Sequence, residues 1–371
     1  MKASFVCYLK EKYPEFDLPQ LNELVSEQLL SPFQIPLSTS QIQQIRTEIQ
    51  QYWKLRQWGT SNLAAEYDQL QLRRPENFSA CMSYDFHIGA NGNPELIEIN
   101  TNASFLALGL DLYSFLNLPN VGNPQFDKNA LTKMFQDEMS LSQTDGRTLS
   151  IIDEKPTEQR LYLEFLIYES LFKKQGLHCD ILDISESEQI LKDVFVYNRH
   201  TDFYLQEEKS KALRQLFNES KIQLSPNPYE YFLLADKKRL LDWNQQSDVP
   251  CPTSLLKVYD LGKEDKEFIW SERKNLFFKP KQSFGGKQAY KGASISRKVF
   301  ESVMTTDFIA QQYSAAPNIT FDYLETPTEY KYDLRCFAYK DELQMIVARI
   351  YQGQTTNLRT TGGGFAAITL A

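Results

Sequence analysis

Histidine and cysteine are scarce in this 371-residue sequence, which has three of the first and five of the second. His87, His178 and His200 stand at no spacing that suits a Ser/His/Asp triad or a Cys/His pair. Cys7, Cys81, Cys179, Cys251 and Cys336 are odd in number, widely spaced and never C-x-x-C. That argues against a disulfide framework or a zinc site and for reduced thiols, hence for a cytoplasmic protein. No stretch of about 18 residues is apolar and uncharged, so no membrane span is expected, and the apolar run within residues 1–10 is too short for a secretory signal. Positive charge is not in excess: 40 Lys+Arg against 48 Asp+Glu leave a net charge of −8. Non-specific binding to nucleic acid or anionic membranes is therefore disfavoured, although a locally positive cleft is compatible with it.

What is present reads as globular, at 42% hydrophobic and 13% aromatic, with room for two or three domains. Residues 1–78 are expected to be mostly helical, with apolar residues at three- and four-residue spacings over 18–30 and 40–58 and Ser40 as a helix cap. The stripe Ile42, Ile45, Ile49, Trp53 and Leu55 reads as core before it reads as a cap over a substrate site. From residue 148 strands (149–153, 178–182, 194–197, 222–224) alternate with helices (158–174, 186–192, 206–218). This predicts a small parallel sheet covered by helices. Ligands of such sheets gather at the carboxyl ends of the strands. Arg199 follows one of those ends, either as a contact for a substrate carboxylate or as a partner that stiffens the loop through Asp202.

Two alternating runs, 82–88 and 95–100, flank Ala90-Asn91-Gly92-Asn93 and predict a hairpin, with Asn-Gly supplying a type I′ turn. Asp85 then lies near the open end of one strand and Glu98 and Asn100 near the open end of the other. Glu98 and Asn100 share a face because they are two residues apart. Three oxygen-bearing side chains there suit a hard cation such as Mg²⁺, the plain alternative being a solvated polar face. His87 falls on the face of Asp85, as a nearby polar contact rather than a ligand.

Further on, an apolar strand leads into Lys279-Pro280-Lys281-Gln282-Ser283-Phe284-Gly285-Gly286-Lys287, a glycine-bearing turn that can offer N–H groups and ammonium charge to a polyphosphate. It is followed by Tyr332-Asp333-Leu334-Arg335 and by Asn357-Leu358-Arg359-Thr360-Thr361-Gly362-Gly363-Gly364. This combination resembles the ATP-grasp superfamily, whose members carry a Lys before a Gly-rich loop, an Asp-x-Arg strand and an Asn near a Gly-Gly turn. They normally close with an Asp and, about thirteen positions later, a Glu-x-Asn that bind magnesium. Here no such hairpin follows the triple glycine. Its spacing occurs at the front instead, in Asp85 and Glu98-Ile99-Asn100, so the sequence resembles a circularly permuted ATP-grasp enzyme of the D-alanine–D-alanine ligase and glutathione synthetase kind. Permutation is physically tolerable because chain termini usually lie at the surface. Ser83 departs from the pattern, since those ligases have an Arg there.

The resemblance implies an α/β fold: an ATP-grasp core, a Rossmann-like pre-ATP-grasp domain and an N-terminal helical segment. The corresponding divisions are 1–78, 79–147 (the hairpin and following helices), 148–232 and 233–371 (nucleotide-binding lobes). It also implies an ATP- and Mg²⁺-dependent ligase that joins a small-molecule or peptide carboxylate to an amine or thiol through an acyl phosphate. On that reading Asp85, Glu98 and Asn100 hold two Mg²⁺ ions. Lys237 and Lys279 hold phosphates, Ser283, Gly285, Gly286 and Lys287 close over them, and Gln311 or Gln312 sits near the ribose. Arg335, Arg349 and Arg359 compete to stabilise the transferring phosphoryl group, and Asn357 and Gly363 line the acyl-phosphate side with the loop of Asn102 and Ser104. Two rivals stay open: a kinase acting on a hydroxyl, and a nucleotide-binding module without catalysis. Similar ligases are commonly dimeric, which makes a homodimer the assembly to test.

Overall fold

In the computed structural model, residues 1–141, 146–190, 193–281 and 289–371 are described. Their strands form three sheets, and the architecture is α/β. The largest sheet has the order Ile35–Leu37, Gly364–Leu370, Glu342–Tyr351, Thr326–Tyr339, Met82–Ile88, Pro94–Asn100, with Asn318–Tyr323 also pairing with Thr326–Tyr339. The front hairpin thus docks on the Asp-x-Arg strand: Asp85 lies opposite Arg335 on one side and opposite Glu98 on the other.

Between Asp85 and Phe86 the register shifts, so that Phe86 faces Leu96 and Ile97 is the extra residue of a bulge. The hairpin closes through a wider loop than the expected two-residue turn. Gly89 N–H donates to Asn93 O (2.8 Å), Asn93 N–H to Asn91 Oδ1 (3.0 Å), and among these residues only Gly92 has positive φ (+81°). The Asn91 side chain supplies the turn bond locally, which relieves its own backbone of the left-handed conformation.

The parallel sheet appears as expected, in the order His178–Asp183, Thr148–Asp153, Val194–Asn198, Ile222–Ser225. Strands Val194–Asn198 and Ile222–Ser225 are buried throughout, as a sheet covered on both faces requires. Helices Tyr162–Lys174 and Lys211–Asn218 make two crossovers. The third expected helix is a 3₁₀ segment, Ile184–Gln189, held by a capping box between Asp183 and Glu186, while residues 191–192 lie outside the described residues. The remaining sheet is antiparallel, in the order Tyr290–Lys291, Leu276–Pro280, Phe308–Gln312, Val258–Asp260.

The N-terminal stretch departs from an all-helical reading. After helices Lys2–Lys12 and Leu18–Leu24, Ile35–Leu37 runs parallel to Gly364–Leu370 as an edge strand. Pro36 is tolerated there because an edge strand has a side that needs no ladder donor. The following helix, Thr39–Asn62, is capped by Ser38 rather than Ser40: Ser38 Oγ accepts Gln41 N–H (3.2 Å) and Gln41 Oε1 accepts Ser38 N–H (3.0 Å), a complete capping box. Its stripe of Ile42, Ile45, Ile49, Trp53 and Leu55 is buried against the central sheet. Helix Lys238–Gln245 begins after Asp236, whose Oδ1 accepts Lys238 N–H (2.9 Å).

Candidate functional site at the hairpin's open end

The site grows out of strand register. Asp85 is fully buried, and burial alone would raise its pKa. Cross-strand pairing puts Arg335 beside it, so that Nε reaches Oδ1 (3.1 Å) and Nη2 reaches Oδ2 (2.8 Å), a bidentate pair. Arg349 Nη2 donates to the same Oδ2 (2.9 Å) and its Nε to Asp333 Oδ1 (2.6 Å). The two guanidiniums outweigh burial and hold Asp85 down at about 2. Burial lowers the pKa of Arg349, but Asp333 and then Asp85 raise it above its ordinary value. Ser83 Oγ donates to Asp85 Oδ1 (3.1 Å).

Asn100 Nδ2 donates to Asp85 Oδ2 (3.2 Å) and Glu98 Oε1 (3.3 Å), so the three expected ligands converge. Turning the Asn100 amide over would present its oxygen instead, giving the all-oxygen set that a hard divalent cation takes. Both oxygens of Asp85 are engaged by arginine, which leaves Glu98 as the carboxylate with coordinating capacity to spare.

The bulge at Ile97 exposes an edge that the neighbouring lobe reads. Buried Lys279 donates to Ile97 O (2.8 Å) and Gln311 Oε1 (2.6 Å), and Gln311 Nε2 donates to Leu96 O (3.3 Å). Gln311 is therefore committed to positioning Lys279 and the hairpin. Burial brings the Lys279 ammonium down to about 8 against the pull of Glu98. Lys237, half-buried nearby, is likewise lowered by burial, with Glu98 acting in the opposite sense.

Two cavities share the wall formed by Ile97, Glu98, Ser104, Lys237, Lys279 and Arg335. One, of about 500 Å³, opens toward the carboxyl ends of the parallel sheet and is lined by Asp153, Glu154, Arg199 and Tyr231. The other, of about 470 Å³, lies between the antiparallel sheet and the central one, with Phe277, Gln312, Tyr313, Arg349 and Asn357 in its lining.

Arg199 reaches the first of these cavities and is also bonded within the fold. Its guanidinium donates to Asn102 O, Ala103 O (3.2 Å), Tyr197 OH (3.3 Å) and Ser104 Oγ, so it fastens the loop behind the hairpin. Asp202 instead accepts Glu207 N–H (2.7 Å). That loop is held from below as well, because the buried Glu164 carboxylate accepts Phe105 N–H (2.7 Å) and Ala107 N–H (2.9 Å) at the start of helix Leu106–Leu116.

Arg359 is exposed and lines neither cavity. Gly363 lies under strand Glu342–Tyr351, where a Cβ would come within 2.5 Å of Ile350 O. Asn357 accepts Arg359 N–H (3.0 Å) and folds its own turn. Ser283, Gly285, Gly286 and Lys287 lie outside the described residues. Sequence reasoning missed Asp333 as the second carboxylate of the Arg349 pair, although its two-residue offset from Arg335 puts both on one face. It also missed Asp153, which burial raises to about 6; no local signal marks that position.

No family model matches the chain, and no curated protein matches it. Among solved structures, it is similar to a glutathione synthetase-like effector from Globodera pallida, at 11% identity and a TM-score of 0.57, over 92% of this chain and 90% of that one. A candidate gamma-glutamylcysteine synthetase from Methylobacillus flagellatus gives 10% identity and 0.47 over 88% and 87%. The ATP-grasp ligase PsnB with a minimal precursor gives 11% and 0.32 over 61% and 90%. At such scores the last two add nothing to the comparison, and what the first establishes is architecture: this chain has the fold of a glutathione synthetase-like protein.

Proposed function

We propose that the protein is an ATP- and Mg²⁺-dependent ligase that joins a carboxylate to an amine or thiol through an acyl phosphate. The observation that carries this reading is the shared wall. Glu98, Lys237, Lys279 and Arg335 stand between two cavities, where a phosphoryl group passing from one ligand to another would need both cations and a metal-binding carboxylate. ATP would occupy the cavity beside Phe277 and Tyr313, and the acid the cavity at the parallel sheet. The acid's carboxylate attacks the γ-phosphorus as the bond to the β-γ bridging oxygen breaks and ADP leaves. The amine or thiol then attacks the acyl carbon, loses a proton, and phosphate departs.

Magnesium held by Glu98 and Asn100, with Asp85 positioning Asn100 rather than coordinating as the spacing had suggested, would neutralise charge on the phosphates. Arg335 and Lys279 act as fixed cations at the transferring group. Arg349 acts through Asp85 and Asp333 as a positioning residue. The front hairpin thereby serves as the closing hairpin of the ATP-grasp pattern, a circular permutation supported by its pairing with Thr326–Tyr339.

The test is a thermal-shift titration of ATP with and without Mg²⁺ on wild type and Glu98→Ala, followed by a screen of acid and acceptor pairs for ADP and phosphate release. Ligand at a hundred times its dissociation constant stabilises by about 2.7 kcal/mol. Mg²⁺ should enlarge the wild-type shift and leave the variant unchanged. An equal increment in both proteins removes Glu98 from the metal site and the reading with it.

A further inference from the structure

The loop after strand Val194–Asn198 holds a cluster that the proposed ligase chemistry does not use. His200, Asp202 and Glu207 each offer a ligand atom, and these atoms all lie within 4.8 Å of one another. His200 is only 2% exposed, and its Nε2 is buried without a hydrogen-bond partner, so a polar atom has been carried inside with nothing to satisfy it. The backbone is shaped to hold the three together: His200 N–H donates to Asn198 Oδ1 (3.2 Å), and Glu207 N–H to Asp202 Oδ2 (2.7 Å). Lys209 reaches Glu207 Oε2 (3.0 Å) and Glu154 Oε2 (2.7 Å), a surface cation where a bound metal would supply charge more directly.

We propose that His200, Asp202 and Glu207 form a binding site for a divalent transition metal, separate from Glu98 and Asn100. One imidazole and two carboxylates make a mixed nitrogen and oxygen set, which favours zinc, cobalt or manganese over magnesium or calcium. Bonds of about 2.1 Å hold tetrahedral donors about 3.4 Å apart, so closing on the ion asks for a rotation of the exposed Glu207. The ion would fasten the segment that carries Thr201 and Phe203 into the wall of the larger cavity. The spacing His-x-Asp-x₄-Glu has no marker in the sequence, because the turn at Asp202 brings Glu207 back.

Isothermal titration of the full chain with Zn²⁺, and with Mg²⁺ for comparison, tests this. The expected result is one saturable Zn²⁺ equivalent, at least tenfold tighter than Mg²⁺, weakened at least tenfold in Glu207→Gln and in His200→Gln. It should be kept in Glu98→Ala and in His178→Gln, the latter altering an exposed histidine. Co²⁺ should give a visible absorption spectrum in wild type that both loop variants lose. Glu207 is exposed, so its variant decides the matter if His200→Gln fails to fold. No saturable equivalent, unchanged affinity in Glu207→Gln, or loss of binding in Glu98→Ala overturns the proposal. The last result would assign the ion to the other site while leaving the ligase reading intact.

Discussion

Two buried groups of cations meet at the hairpin, and they are held in opposite ways. Around Asp85 every charge has a counter-charge: Arg335 and Arg349 are matched by Asp85 and Asp333 through direct bonds. Lys279, one strand end away, is held by two neutral oxygens, Ile97 O and Gln311 Oε1. The first arrangement is electrostatically complete and fixes geometry. The second keeps a cation at the cavity wall at the cost of its own ionisation, a cost that a polyphosphate would offset. One group is closed by counter-charges and the other is balanced by neutral dipoles alone, although Arg335 and Lys279 both reach the shared cavity wall.

The sharpest way to break this contrast is Asp85→Ala, which strips Arg335 of its carboxylate and leaves Arg349 to Asp333 alone. Removing one partner of a buried pair costs about 3–5 kcal/mol, so denaturant unfolding should show a loss of that size, and a loss below about 1 kcal/mol would dissolve the distinction. Lys279→Met should do the reverse. It relieves a desolvated charge, so stability without ligand should hold or rise, while affinity for ATP in a thermal-shift titration falls at least tenfold.

The smallest effect is the pH dependence. The folded pKa of Lys279, about 8, lies below its unfolded value, so between about 8 and 10.4 the unfolded chain binds the extra proton and stability rises with pH. Nucleotide affinity needs the charged form and should fall as pH climbs from 7 to 9. Lys279→Arg should flatten that slope, and an unchanged slope would remove Lys279 from the phosphate site.

The same contrast explains what could be read from the sequence. The meeting of Asp85, Glu98 and Asn100 was legible because strand alternation is a local fact, whereas Arg335 and the thirteen-residue spacing stood out only through a resemblance; the crossovers of the parallel sheet follow from patterning over fewer than eighty residues. The bulge at Ile97 was not, because it depends on which neighbour reads the Leu96 and Ile97 carbonyls. Arg199 could be placed at a strand end from the sequence, but its bonds to carbonyls about a hundred residues away could not. Strand Ile35–Leu37 exists only through Gly364–Leu370, and no window on the sequence contains both.

That last pairing bears on how the protein comes into being. At a synthesis rate of about 5–20 residues per second, roughly 15–65 seconds pass between the emergence of Ile35–Leu37 and of its partner strand. The hairpin waits about three-quarters as long for Thr326–Tyr339. The parallel sheet, complete by Ser225, can fold meanwhile. The nascent chain therefore carries unpaired strand edges beside a finished neighbour, and this is the interval in which a chaperone, or another copy of the hairpin, would find it.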